Sequence, residues 1–76
     1  FSEQEATKVK IKAQLMCSIS EWIKDQKLKQ EDASHVLHVT RPRVSDVMRG
    51  KSSKFTIDAL IDMLERTGKH VTLQVS

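Results

Sequence analysis

The sequence predicts a mainly α domain of four to five helices with a short β-strand at its C-terminal end. Three observations carry this. Apolar residues recur three and four positions apart over most of the chain, the period of a helix with one buried face. Two Gly and one Pro among 76 residues are too few for the turns of an all-β fold. Only the final stretch, HVTLQVS, alternates apolar and polar residues as a half-buried strand does.

The first helix is expected to start near Glu3. Ser2 followed by Glu5 is a capping-box pattern, in which each side chain satisfies a free backbone N–H of the first turn. Ile11, Leu15, Ile19, Trp22 and Ile23 form its inward stripe, with Trp22 as the main core anchor, and it should end between Lys24 and Lys27. A short second helix, about Gln30–Leu37, turns Ala33, Val36 and Leu37 inward. Its cap position holds Lys29, which costs about 1 kcal/mol relative to Ser or Thr. A break follows at His38 and Val39.

The third helix has Thr40 as its N-cap and Pro42 in its first turn, where a missing N–H is harmless. Val39 and Val44 make a hydrophobic staple across the cap. Val44, Val47 and Met48 should be buried; Arg41, Arg43, Ser45, Asp46 and Arg49 should face out. Gly50 ends the helix in the left-handed conformation. After a basic loop, Lys51–Lys54, the fourth helix starts at Thr56, stapled by Phe55 and Leu60. Ile57, Leu60, Ile61 and Leu64 form its inward stripe and Gly68 closes it. Ala59 and Met63 flank that stripe and either join a dimer surface or widen the core. In the terminal strand Val71, Leu73 and Val75 share one face. A lone strand must pair to satisfy its backbone groups. The same strand of a second copy across a two-fold axis is the simplest partner, and an edge strand of another protein is the alternative.

Residues 1–76 read as one small domain, with no repeat, linker or low-complexity tract. A chain of this size buries only about 60% of the surface it exposes when unfolded. The single Cys excludes an intrachain disulfide, so self-association is expected to supply the missing stability. No apolar run reaches membrane-spanning length and no signal-peptide pattern is present, which leads to a cytoplasmic expectation. The chain does not begin with Met, so further residues are expected before Phe1.

The formal net charge of +3 is unevenly distributed. Residues 1–26 sum to zero and residues 56–76 to −1, whereas residues 27–55 carry +4. Within that middle segment Arg41, Arg43, Arg49, Lys51 and Lys54 face a single acid, Asp46. A localised basic segment is the footprint of a nucleic-acid contact, because DNA is a dense array of phosphates. A solvated basic face has the same charge, so charge alone leaves both readings open.

Helix pattern adds what charge lacks. Two short helices joined by a tight turn, the second with a cationic outer face, form a helix-turn-helix, whose second helix enters the major groove. Arg41 and Arg43 lie in its first turn, and an Arg fork matches the O6 and N7 of guanine. Ser45 and Asp46 lie one turn on. Asp46 either accepts from a cytosine amino group or orients a neighbouring Arg. These four are the candidate base contacts. Thr40, Arg49, Lys51, Ser53 and Lys54 are candidate phosphate contacts, which set register and affinity rather than sequence preference.

The stretch QEDASHVLHVTRPRVSDVMRGK, Gln30–Lys51, resembles the helix-turn-helix of Xre/Cro-type regulators, with Val36, Leu37, Val39, Val44 and Val47 at the motif's apolar positions. With FTIDALIDML and the terminal strand, the resemblance covers roughly residues 9–76 and is closest to HigA-like antitoxins. It implies a lambda-repressor-like fold, a homodimer on a palindromic operator of double-stranded DNA, and a RelE/HigB-like toxin as partner. It also implies a phosphate contact for Gln30. Ser34 replaces the motif's usual Ala but is small enough for the helix contact. His38 replaces its turn Gly, and the left-handed conformation costs a non-Gly residue about 1 kcal/mol.

Other constellations read as structural. His35, His38 and His70 with one distant Cys match no zinc spacing. Cys17 reads as a small packing residue without a catalytic partner. Asp58, Asp62 and Glu65 read as a solvated face of the fourth helix. No catalytic set, phosphate loop or cofactor motif is visible, so an enzyme is not expected. The expected function is a sequence-specific transcriptional regulator acting as a homodimer, a repressor that autoregulates a toxin–antitoxin operon. The alternative is a protein-interaction module that neutralises a toxin.

Overall fold

A computed structural model describes residues 3–69. Four α-helices follow in order, α1 Glu3–Asp25, α2 Gln30–Leu37, α3 Arg41–Met48 and α4 Ile57–Arg66, with one turn of 3-10 helix, Ser52–Lys54, between the last two. Among the described residues there is no fifth helix. Ser2, the expected cap of α1, and the expected strand with Val71, Leu73 and Val75 lie outside the described residues.

No Pro or Gly interrupts α1, which runs for 23 residues. Its packing starts at Ile11, which lies partly buried against the core. Leu15, Met16, Ile19 and Ile23 are buried, whereas residues 3–10 are exposed. Trp22 is not the main anchor. It is half-buried at the edge of the stripe, and Ile19 and Ile23 occupy the centre. Each residue advances about 100° around a helix, so Trp22 sits well to one side of the line through Leu15, Ile19 and Ile23. Cys17 is exposed rather than packed, because it falls on the side of α1 away from that line.

All four helix ends share one device, a left-handed residue at which the chain reverses and the last carbonyls find donors; after α4 it is Gly68 (φ 88°), whose N–H donates to Glu65 C=O at 3.0 Å. Lys27 (φ 54°) ends α1, with Leu28 N–H donating to Ile23 C=O at 3.1 Å and Lys27 N–H to Lys24 C=O at 3.1 Å. Gly50 (φ 72°) ends α3 in the same way, with Lys51 N–H on Asp46 C=O at 3.0 Å. His38 (φ 56°) ends α2, with Val39 N–H on Ser34 C=O at 3.1 Å. The turn therefore has the conformation a glycine would give it, and His38 bears the steric cost. Its ring Nδ1 accepts from Arg66 Nη1 of α4 at 2.8 Å, which ties the turn to the last helix.

The core joins Leu15, Met16, Ile19 and Ile23 of α1 to Ala33 and Leu37 of α2, Val44 and Val47 of α3, and Leu60, Met63 and Leu64 of α4, with Phe55 at its edge. Two expected core residues lie outside it. Val36 is 39% and Met48 37% exposed. An eight-residue helix wedged against its neighbours buries a narrow stripe: Ala33 and Leu37 stack four apart on α2, Val44 and Val47 three apart on α3. A third apolar residue on so short a helix is left at the margin. Met63, in contrast, is 3% exposed and belongs to the core, so it widens the core rather than forming a free dimer surface.

The two threonine caps differ. Thr56 Oγ1 accepts from Ala59 N–H at 3.1 Å. Thr40 occupies the cap position of α3 with extended backbone, and its carbonyl accepts from Arg43 and Val44 N–H, but its side chain makes no capping bond. Thr56→Ala is accordingly expected to lower stability by about 1 kcal/mol. Thr40→Ala should change it by only a few tenths. Thermal melts followed by helical circular dichroism check the contrast; equal losses would contradict it.

Candidate nucleic-acid interface

α2 and α3 pack against each other and are joined by the turn His38–Thr40, while α1 and α4 hold them from behind. With Val44 and Val47 inward, the opposite side of α3 carries Pro42, Asp46 and Arg49, with Ser45 beside them. Pro42 and Arg49 are exposed; Ser45 and Asp46 are half-buried. The sequence reading treats Pro42 only as a first-turn residue, yet it lies at the middle of this outer face.

Arg41 and Arg43 do not point together. Two residues place them about 200° apart around the axis. Arg41 is exposed on the flank shared with Met48. Arg43 is on the opposite flank, where its Nη1 donates to Lys54 C=O at 2.5 Å and its guanidinium lies 5.4 Å from the centroid of the Phe55 ring. Asp46 orients no arginine. Its carboxylate pairs with Lys51 Nζ at 4.0 Å. That contact is long and open to solvent, so it adds little stability, but it keeps Lys51 beside the outer face.

At the other end Gln30 Nε2 reaches Met48 Sδ at 4.0 Å, so the start of α2 is docked on the end of α3. Ser53, Lys54 and Thr40 are exposed. The 3-10 turn makes Lys51–Lys54 a compact projection rather than a loose loop: Lys54 N–H donates to Lys51 C=O at 3.1 Å. One cation was not legible in the sequence. Lys12 Nζ of α1 donates to Ser52 C=O at 3.4 Å, forty residues away along the chain. Only the packing of α1 on the 3-10 turn brings it there.

Gln30, Arg41, Ser45, Asp46, Arg49 and Lys51 thus lie around the outer face of α3, with Arg43, Ser53, Lys54 and Lys12 forming a second edge along the 3-10 turn. Such a ridge, with Pro42, Asp46 and Arg49 at its centre and further cations at its margins, matches a groove walled by phosphates and floored by base edges. Among the described residues no helix is long and apolar enough to cross a membrane. A family model described as a helix-turn-helix domain matches residues 1–76. No curated protein matches the chain.

Proposed function

The chain belongs to this helix-turn-helix domain family, and from that premise we propose that it is a sequence-specific DNA-binding regulator, a repressor of the Xre type rather than an enzyme. What supports the reading most is the outer side of α3, where Arg41, Pro42 and Arg49 are exposed beside half-buried Ser45 and Asp46. Arg41 is the candidate guanine reader. Ser45 and Asp46 bond to base edges, and Pro42 meets a thymine methyl. Gln30, Thr40, Arg49, Lys51, Ser53 and Lys54 meet phosphates, joined by Lys12. Arg43, tied to the Lys54 carbonyl, suits a phosphate at the groove edge better than a base.

Residues 1–76 act in this proposal as one domain in the cytoplasm, paired as a homodimer through Val71, Leu73 and Val75. The two α3 helices then read successive major grooves of a palindrome, about 34 Å apart. The alternating pattern at the C-terminal end supports the pairing. Sedimentation of a chain cut after Gly68 tests it: monomers are expected, and an intact dimer would contradict the strand.

The resemblance to HigA-like antitoxins supports an operon setting beside a RelE/HigB-like toxin. The exposed first turns of α1, residues 3–10, leave a surface on which such a partner could be neutralised. Co-purification with the neighbouring gene product separates that role from regulation alone.

The reading is tested by binding to the gene's own upstream DNA against a scrambled duplex over a salt series. Specific binding is expected, with log affinity falling by roughly 0.9 per log unit of salt for each phosphate neutralised. Lys12, Arg43, Arg49, Lys51 and Lys54 in two subunits give a slope of about −9. A flat response, or equal affinity for both duplexes, would sink the proposal.

A further inference from the structure

A groove of about 550 Å³ opens between the turn His38–Thr40 and the side of α4 that carries Ala59, Met63 and Arg66. That volume is ordinary for a small-molecule site. Its floor is apolar, built from the buried side chains of Leu37, Phe55 and Met63. Its margins are cationic. Arg43, Lys54 and Arg66 line it, and Asp62 is the only acid among the described residues that does so.

The two arginines are fixed without being neutralised. Arg43 Nη1 is held by the Lys54 carbonyl and Arg66 Nη1 by the His38 ring, neither of them a carboxylate. Among the described residues neither guanidinium pairs with a carboxylate. A guanidinium has five N–H donors, so each keeps several for a ligand while its position is already set. The Thr40 hydroxyl, which makes no capping bond, lines the same space. Fixed, unpaired cations around an aromatic and thioether floor are complementary to a small organic anion with a flat apolar body.

We propose that this groove binds a small aromatic carboxylate, its ring against Ala59 and Met63 beside the Phe55 edge and its carboxylate on Arg66. Bound there, the anion also lowers the positive potential at Arg43 and Lys54, so it weakens DNA binding, and DNA weakens its binding by the same factor. The coupling rests on the DNA reading above; the binding itself does not.

The test is an amide-resolved NMR titration of the full chain with benzoate, and with benzyl alcohol as the uncharged control, at fixed ionic strength. Saturable shifts at Val39, Thr56 and Ala59 are expected by roughly 20 mM benzoate, the range for a ligand of this size. Benzyl alcohol should bind about tenfold more weakly, because it lacks the charge-assisted bond. Arg66→Ala should weaken benzoate about tenfold while spectral dispersion stays unchanged. Benzoate should lower operator affinity in the parent chain and not in that variant. Equal binding of acid and alcohol, shifts scattered over the surface, or groove amides that respond to duplex DNA but not to benzoate would each overturn the proposal. Benzoate binding in a chain that binds no operator leaves the ligand site standing and removes the regulator reading.

Discussion

Leu60→Ala is expected to lower the unfolding free energy by about 3 kcal/mol. Leu60 is fully buried, where α4 packs against α1 and α2. Truncating it removes apolar surface from the core and leaves a cavity that three helices cannot all collapse to fill. A domain of this length has a total stability of roughly 4–11 kcal/mol, so one such change removes a large share of it. Urea unfolding followed by Trp22 fluorescence should show a much lower midpoint at an unchanged slope. A loss under about 1 kcal/mol would mean that Leu60 is not a core residue. The exposed positions Val36 and Met48 provide the contrast: alanine there should cost less than about 1 kcal/mol, although both were expected in the core from their spacing.

Arg41→Ala combined with Arg49→Ala is expected to weaken operator binding by roughly a hundredfold or more. Each arginine is worth about 1–3 kcal/mol, and 1.4 kcal/mol is tenfold. The single changes should differ in kind. Loss of Arg41 should narrow the gap between operator and scrambled duplex, as loss of a base contact does. Loss of Arg49 should weaken both duplexes alike and flatten the salt slope by about one unit per subunit. Fluorescence anisotropy on the two duplexes at one salt concentration measures this. Both side chains are exposed, so neither change should disturb the fold. Unchanged affinity in the double variant would remove α3 as the reading helix.

Much of the fold was legible residue by residue. The start of α2 at Gln30, the cap of α3 at Thr40, the end of α3 at Gly50 and the cap of α4 at Thr56 all follow from local rules, because a helix end is decided by a few adjacent backbone groups and the residues that can satisfy them. The inward stripes were readable to within one residue on each side. The margins of the stripes were not legible: Val36, Met48 and Trp22 lie further out than their spacing implies, and Met16 lies inside. A helical wheel gives the direction of burial but not its width, which depends on how closely neighbouring helices approach.

The site divides in the same way. Its location and its charge are local properties of residues 27–55, so they could be found by placing the charges along the chain. The pairing of Arg43 with Lys54, of Arg66 with His38 and of Lys12 with the 3-10 turn could not be found so, since each joins residues 11, 28 or 40 positions apart. Sequence by itself determined the helices, their caps, the basic segment and the resemblance to a helix-turn-helix, because all of these rest on neighbours along the chain. Tertiary structure alone turned Arg43 back onto the Lys54 carbonyl, while Arg41 stays exposed on the other flank of α3, and it alone formed the cationic groove. Side-chain direction there is set by partners on other helices, and those partners meet only when the core closes.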